Sequence, residues 1–299
     1  MSEEIVDVGG AVTLCCERIG DPGQAPLLLI MGLGQQLTAW PQTLVGGLVD
    51  RGFHVIRFDN RDIGRSTHAS NRPPRMRELL TGRFVAEQYD LYDMARDTAG
   101  LIKALDLEPV HAVGVSMGGM IAQTLAAEYP DRVSSLVSIM SSTGSRTAGW
   151  VAPSTLRLLL QKPARDREAA AERAALMFGH IGSYGFPTDP DEIRERARLA
   201  FDRDPKAAAG TARQMAAIIK AGDRTRDLRR ITAPTVVVHG DRDRMVHPSG
   251  GRATARAIPG ARLETIRGLG HDVPAGAIER LTELIAAHAH AAQRQQAAA

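Results

Sequence analysis

The chain has 299 residues, 43% hydrophobic and 24% charged, with a formal net charge of +3. That is enough chain to bury a sizeable core without cross-links. The arginines are interleaved with acids, as in Arg165-Asp166-Arg167-Glu168 and Glu192-Ile193-Arg194-Glu195-Arg196, which is a solvated helix face and not a nucleic-acid surface. No apolar run approaches the length of a membrane span, and the acidic start Met1-Ser2-Glu3-Glu4-Ile5 lacks the apolar segment of a secretory signal. The two cysteines, Cys15 and Cys16, are adjacent; on a strand they face opposite ways and do not pair with each other. A cytoplasmic, reducing location is therefore expected, with no metal and no other cofactor, no nucleic-acid partner and no membrane.

Residues 5–8 and 11–19 alternate around Gly9-Gly10 and predict a hairpin. Leu27-Leu28-Leu29-Ile30-Met31 is a continuous apolar run closed by Gly32, the pattern of a parallel strand buried on both faces. A helical pattern over 39–51 stops at Gly52, and residues 54–59 form the next strand. Residues 72–89 read as an irregular excursion and 90–106 as a helix. The stretch 110–115 is a strand, followed by a helix that ends at Tyr129-Pro130, and 133–139 is another strand. This alternation predicts a parallel sheet with right-handed crossovers. It is then interrupted: residues 150–230 contain no strand-like run and read as helices near 154–161, 166–179, 190–202 and 205–221. Strands resume at 235–239 and 262–266, and a helix over 276–289 closes the fold. The expected architecture is an α/β core over 1–145 and 231–290, a mostly parallel eight-stranded sheet. An all-helical cap is inserted over 146–230, and residues 291–299 form a frayed tail.

The turn Gly114-Val115-Ser116-Met117-Gly118 joins a strand to a helix. A serine there sits on a bend so sharp that a β-carbon at either flanking glycine would collide with its neighbour, and the hydroxyl is left exposed at a helix N-terminus. The pentapeptide alone arises by chance in about one chain in ten of this length, so its meaning depends on what accompanies it. A serine hydroxyl needs a base, and the base needs an orienting acid, on the same sheet edge. Of nine histidines, His271 follows the strand 262–266 through a glycine-rich loop. His111 and His239 read as packed, His288 and His290 as exposed, and His247 as the main decoy. The acid is sought in Gly240-Asp241-Arg242-Asp243, where Asp243 lies far enough along the loop to reach His271 and Asp241 suits the turn itself. Two backbone N–H groups would serve a developing oxyanion: that of Met117, and that of Leu33 in Met31-Gly32-Leu33-Gly34.

The order Ser116, Asp243, His271, together with Phe58-Asp59-Asn60-Arg61-Asp62-Ile63-Gly64-Arg65-Ser66 and Gly268-Leu269-Gly270-His271, resembles the α/β-hydrolase fold over about residues 5–290. Within that fold the chain is similar to bacterial carboxylesterase-like members, including the anthracycline methyl esterases. It departs from the more familiar relatives in carrying Met31 where they have a histidine that supports the oxyanion loop. The resemblance implies a serine hydrolase that cleaves a carboxylic ester of a small apolar molecule, and a structural role for the loop 59–66. A lactonase, thioesterase, C–C bond hydrolase, perhydrolase or acyltransferase would use the same three residues. A ligand-binding protein on this fold is expected to carry a damaged triad. Trp150, Phe178, Tyr184, Phe186 and Met215 are the candidate apolar residues of a substrate pocket, although 4% aromatic content does not advertise a cage for a polycyclic ligand.

Overall fold

A computed structural model describes residues 2–161 and 164–298. Eight strands form one sheet: β1 (Glu4–Gly9), β2 (Val12–Ile19), β3 (Ala25–Ile30), β4 (Phe53–Phe58), β5 (Val110–Val115), β6 (Val133–Ile139), β7 (Thr235–Gly240) and β8 (Arg262–Ile266). Their spatial order is β1-β2-β4-β3-β5-β6-β7-β8. The first two pairings, β1 with β2 and β2 with β4, are antiparallel, and the remaining ones are parallel. Helices α1 (Gln42–Val49), α2 (Met76–Thr81), α3 (Leu91–Ala104) and α4 (Met117–Glu128) alternate with the strands. Between β6 and β7 run α5 (Pro153–Leu159), α6 (Arg167–Ile181), α7 (Pro190–Arg203), α8 (Ala207–Ala221) and the single turn α9 (Thr225–Leu228). The chain closes with α10 (Ser249–Ala257) and α11 (Ile278–Ala297).

Period-two alternation divides the core. Leu28, Ile30, Ile56 and Phe58 face α3 and α4, packing with Met94, Leu101, Ile121 and Leu125. Leu27, Leu29, Val55, Val113 and Val236 face the other way, against Leu44, Leu281 and Ile285 of α1 and α11. Both faces of the sheet are covered, which is why these strands read as unbroken apolar runs. Each such leucine or isoleucine contributes roughly 1.5–3 kcal/mol by leaving water. Residues Met117 to Ala127 of α4 are all buried, so that helix lies between the sheet and the surrounding helices with no solvent face.

Four expectations are corrected. The excursion 72–89 contains α2, and α10 stands where no helix was expected. The tail expected over 291–299 is helical through Ala297, because Ala286, Ala289 and Ala292 form a small-residue stripe that packs inward; Ala299, like Met1, lies outside the described residues. His288 and His290 are partly buried, not exposed: His290 stacks on Phe53 at 4.8 Å and His288 bonds the Pro234 carbonyl at 3.0 Å. Cys15 and Cys16 are buried free thiols.

The helices between β6 and β7 are attached to the sheet edge by buried ion pairs. Arg203 at the end of α7 contacts Asp59 at 2.7 Å, and Arg213 of α8 contacts Asp62 at 2.6 Å. Both carboxylates belong to the loop after β4, whose Asp59 also accepts from the Leu37 and Arg65 amides. α6 and α7 pair along their exposed faces through Arg194–Glu172 and Arg198–Glu168, contacts too solvated to add much stability. Among the described residues no helix is long and apolar enough to cross a membrane.

Candidate active site

Parallel strands bring their C-terminal ends to one edge, so the loops after β3, β5, β7 and β8 converge there. Ser116 is the single residue between β5 and α4 and has φ +57° and ψ −119°, a conformation L-residues avoid. The bend is held on both sides. The Ser116 N–H donates to the Ile139 carbonyl at 2.9 Å, and its carbonyl accepts from Ser141 Oγ at 2.8 Å. The flanking glycines are required by space. A β-carbon on Gly114 would lie 2.2 Å from the Gly118 carbonyl oxygen, and one on Gly118 would lie 2.0 Å from that of Ile30. Gly118→Ala is therefore expected to destabilise the fold by about 3 kcal/mol or more, since both obstacles are backbone and cannot swing aside. Thermal melting of the purified variant measures this, and an unchanged midpoint would contradict it.

The strained turn aims Ser116 Oγ at His271 Nε2, 2.9 Å away, and His271 Nδ1 lies 2.8 Å from Asp243 Oδ2. A carboxylate only accepts, so Nδ1 carries the proton and Nε2 presents its lone pair to the serine hydroxyl. Asp243 is buried, with Oδ1 accepting from the Met245 and Val246 amides, each at 2.8 Å. Burial alone would raise its pKa. The charge of His271 and the hydrogen bonds from His239 and His271 outweigh burial and hold the carboxyl well below the usual carboxylate range. His239 Nε2 donates to the Val246 carbonyl at 2.8 Å and sits 3.3 Å from Asp243 Oδ2.

Asp241 accepts from the Gly268 amide at 2.6 Å and so ties the two loops together without reaching the imidazole. His247 stacks on Trp150 at 3.9 Å and bonds Ser249, away from Ser116. The loop carrying His271 is fastened to the end of α6. The His271 N–H donates to the Ile181 carbonyl at 2.8 Å, and Ser183 Oγ accepts from the Gly270 N–H at 2.9 Å while donating to Asp272.

The loop after β3 passes directly over the serine: a β-carbon on Gly32 would lie 3.2 Å from Ser116 Cβ. Neither the Leu33 nor the Met117 amide donates to an acceptor among the described residues. Among the expected pocket residues, Phe178 and Met215 are partly buried. Tyr184 is 88% exposed and forms no pocket wall, and Trp150, 51% exposed, uses its ring face on His247. Phe186 packs on the sheet core beside α11. Aromatic identity at helical spacing does not reveal which face a side chain will occupy.

Three buried residues near the site gave no motif. One is His239, whose clue is its i,i+4 spacing to Asp243 at a strand end. Another is Arg224, whose guanidinium donates to the Met120 carbonyl, Gln123 and the Ser142 carbonyl, clamping α4 to the loop after β6; burial pushes its pKa down to about 10. The third is Gln214 of α8, which bonds the Gly34 amide at 2.9 Å. No group of three or more His, Cys, Asp or Glu side chains among the described residues is arranged to hold a metal ion.

Residues 25–275 match the family model described as alpha/beta hydrolase fold. Rhodomycin D methylesterase DnrP of Streptomyces peucetius is 30% identical over 94% of this chain and 96% of its own. Among solved structures, a thermophilic esterase from Thermogutta terrifontis superposes with a TM-score of 0.71 at 23% identity, covering 98% of this chain and 99% of that one. An enol-lactonase from Burkholderia xenovorans LB400 superposes with a TM-score of 0.71 at 21% identity, covering 95% and 98%. At such identities the structures speak for the fold alone, whereas the family match and the end-to-end sequence relative carry the assignment. The chain belongs to the α/β hydrolase fold family and is a carboxylic-ester hydrolase.

Proposed function

We propose that the protein cleaves a carboxylic ester of a small apolar molecule through an acyl-enzyme formed on Ser116. The observation that carries this is the continuous hydrogen-bonded chain from Ser116 Oγ through His271 to the buried Asp243 carboxylate. Ser116 Oγ attacks the ester carbonyl while His271 Nε2 takes its proton. The tetrahedral oxyanion is received by the Leu33 and Met117 N–H groups, whose aim is fixed before substrate arrives. As the C–O bond breaks, His271 returns the proton to the departing alcohol. Water then loses a proton to His271, attacks the acyl carbon and releases the acid, and Ser116 recovers its proton.

In this reading residues 146–230 are a cap over the sheet edge, with Phe178 and Met215 as its apolar contributions to substrate binding. Two buried free thiols fit a cytoplasmic location. The similarity to a methylesterase favours a methyl or other small alkoxy leaving group. The test is a hydrolysis panel of p-nitrophenyl esters of rising acyl length, methyl esters of apolar acids, a lactone and a thioester, run beside fluorophosphonate labelling. Ester turnover and one label, at Ser116, are expected. Thioester or lactone turnover exceeding every ester would replace the substrate class, and an unlabelled wild type would sink the nucleophile assignment.

A further inference from the structure

The proposed oxyanion loop has an unusual support. Gln214, on α8, is 0% exposed. Its Oε1 accepts from the Gly34 N–H at 2.9 Å, and its Nε2 donates to the Arg61 carbonyl at 2.8 Å. From the other side, Asn60 Nδ2 donates to the Met31 carbonyl at 3.0 Å. These bonds fix two peptide planes: the one that begins with the Met31 carbonyl and the one that ends with the Gly34 N–H. The plane between them, joining Gly32 to Leu33, carries the Leu33 N–H. Its carbonyl accepts from the Gln35 N–H at 3.2 Å. In a trans peptide the N–H points opposite to the carbonyl, so the Leu33 N–H is directed away from Gln35. Gly34 itself has φ +67°, and a β-carbon there would meet Thr211 Oγ1 of α8 at 2.8 Å. A side chain at position 34 would therefore have to displace Thr211 and adopt a left-handed backbone. The same stretch of α8 is anchored through the buried Arg213–Asp62 pair.

We propose that Gln214 is a positioning residue for the reaction: it aims the Leu33 N–H at the developing oxyanion and makes the inserted helical segment part of the oxyanion-stabilising device. This rests on the acyl-enzyme reading above. The expected histidine support of the loop is replaced here by Met31, and the side chain holding the loop instead comes 180 residues later in the chain. An uncharged amide suits the task because it offers one acceptor and one donor to two backbone groups that need opposite partners.

The test compares wild type with Gln214→Leu and Gln214→Met, using p-nitrophenyl acetate as substrate. Phenylboronic acid, which forms a tetrahedral adduct on an activated serine, and acetate, the product, serve as inhibitors. A shift of the donor by a fraction of an ångström is expected to lower kcat about 10- to 100-fold. KM and acetate inhibition should change less than about threefold, and the boronate inhibition constant should rise in parallel with the loss of kcat. A kcat within about twofold of wild type in a folded variant would overturn the proposal. So would a loss confined to KM, or a boronate affinity that does not follow kcat. The unbranched Met fills the volume of Gln without its polar ends and carries the test if Leu does not fold; failure of both to fold would assign Gln214 to stability and overturn the positioning role. Wild type without turnover or label at Ser116 would remove the parent reading and this one with it. An active, labelled wild type that is indifferent to Gln214 removes only this one.

Discussion

Ser116→Ala is expected to lower kcat by about 10⁵- to 10⁶-fold, with KM within a few-fold of wild type and no fluorophosphonate adduct by mass spectrometry. The size of the effect follows from the chemistry. Without Oγ no acyl-enzyme forms, and the remaining oxyanion donors and bound geometry can only assist direct attack by water. The fold should tolerate the change. Oγ contributes one hydrogen bond, to His271, whose loss costs about 1 kcal/mol. The strain at φ +57° is a backbone property that alanine shares with serine. A variant that melts near the wild-type temperature yet retains more than about a hundredth of wild-type kcat would place the nucleophile elsewhere.

The legible parts of this chain were those in which one physical constraint acts on consecutive residues. Parallel strands covered on both faces must be apolar at every position, so Leu27 to Ile30 could be read directly. The Ser116 turn is similar: the first turn of α4 closes on Gly114 and the end of β3 closes on Gly118, which leaves glycine alone possible at both positions. His271 and Asp243 could be picked out because loops after parallel strands share an edge, where the two side chains lie 2.8 Å apart. What escaped was set by tertiary context. α10 opens on Ser-Gly-Gly, which locally is turn chemistry, and becomes helical where Gly251 packs against His239. The closing helix extends because alanines 286, 289 and 292 find a surface to pack on, which no local pattern announces. α8 inverts the usual rule. Arg213 and Gln214 are buried because that face meets the loop 59–66 and not solvent, so the two side chains that hold the loop edges resembled surface residues. The exposed Tyr184 is the complementary error, a large ring assigned inward that lies outside.

Asp243→Asn is expected to lower kcat by about 10⁴-fold while leaving the protein folded. The substituted amide keeps an oxygen for the Met245 and Val246 N–H groups, which fixes its orientation. Its NH₂ then occupies the place of Oδ2, facing His271 Nδ1 and, 3.3 Å away, His239 Nε2. Both nitrogens carry hydrogen when a carboxylate is present. Donor meets donor, and His271 relieves the conflict by moving its proton to Nε2, where it can no longer accept from Ser116. The same substitution has a pH signature in stability. The Asp243 carboxyl is held below its unfolded value, so wild type gains stability from ionisation at every pH above that unfolded value. It loses this gain as pH falls through the folded pKa. Asparagine has no such term. The wild-type melting temperature relative to the variant should therefore decline as pH falls from about 5 to the acid end, most steeply below about pH 4. Melts across that range, paired with kcat at neutral pH, check both halves. Activity within about tenfold of wild type would show that Asp243 does not orient the base, and a melting difference flat to the acid end would show that its carboxylate gains nothing from His271 and His239.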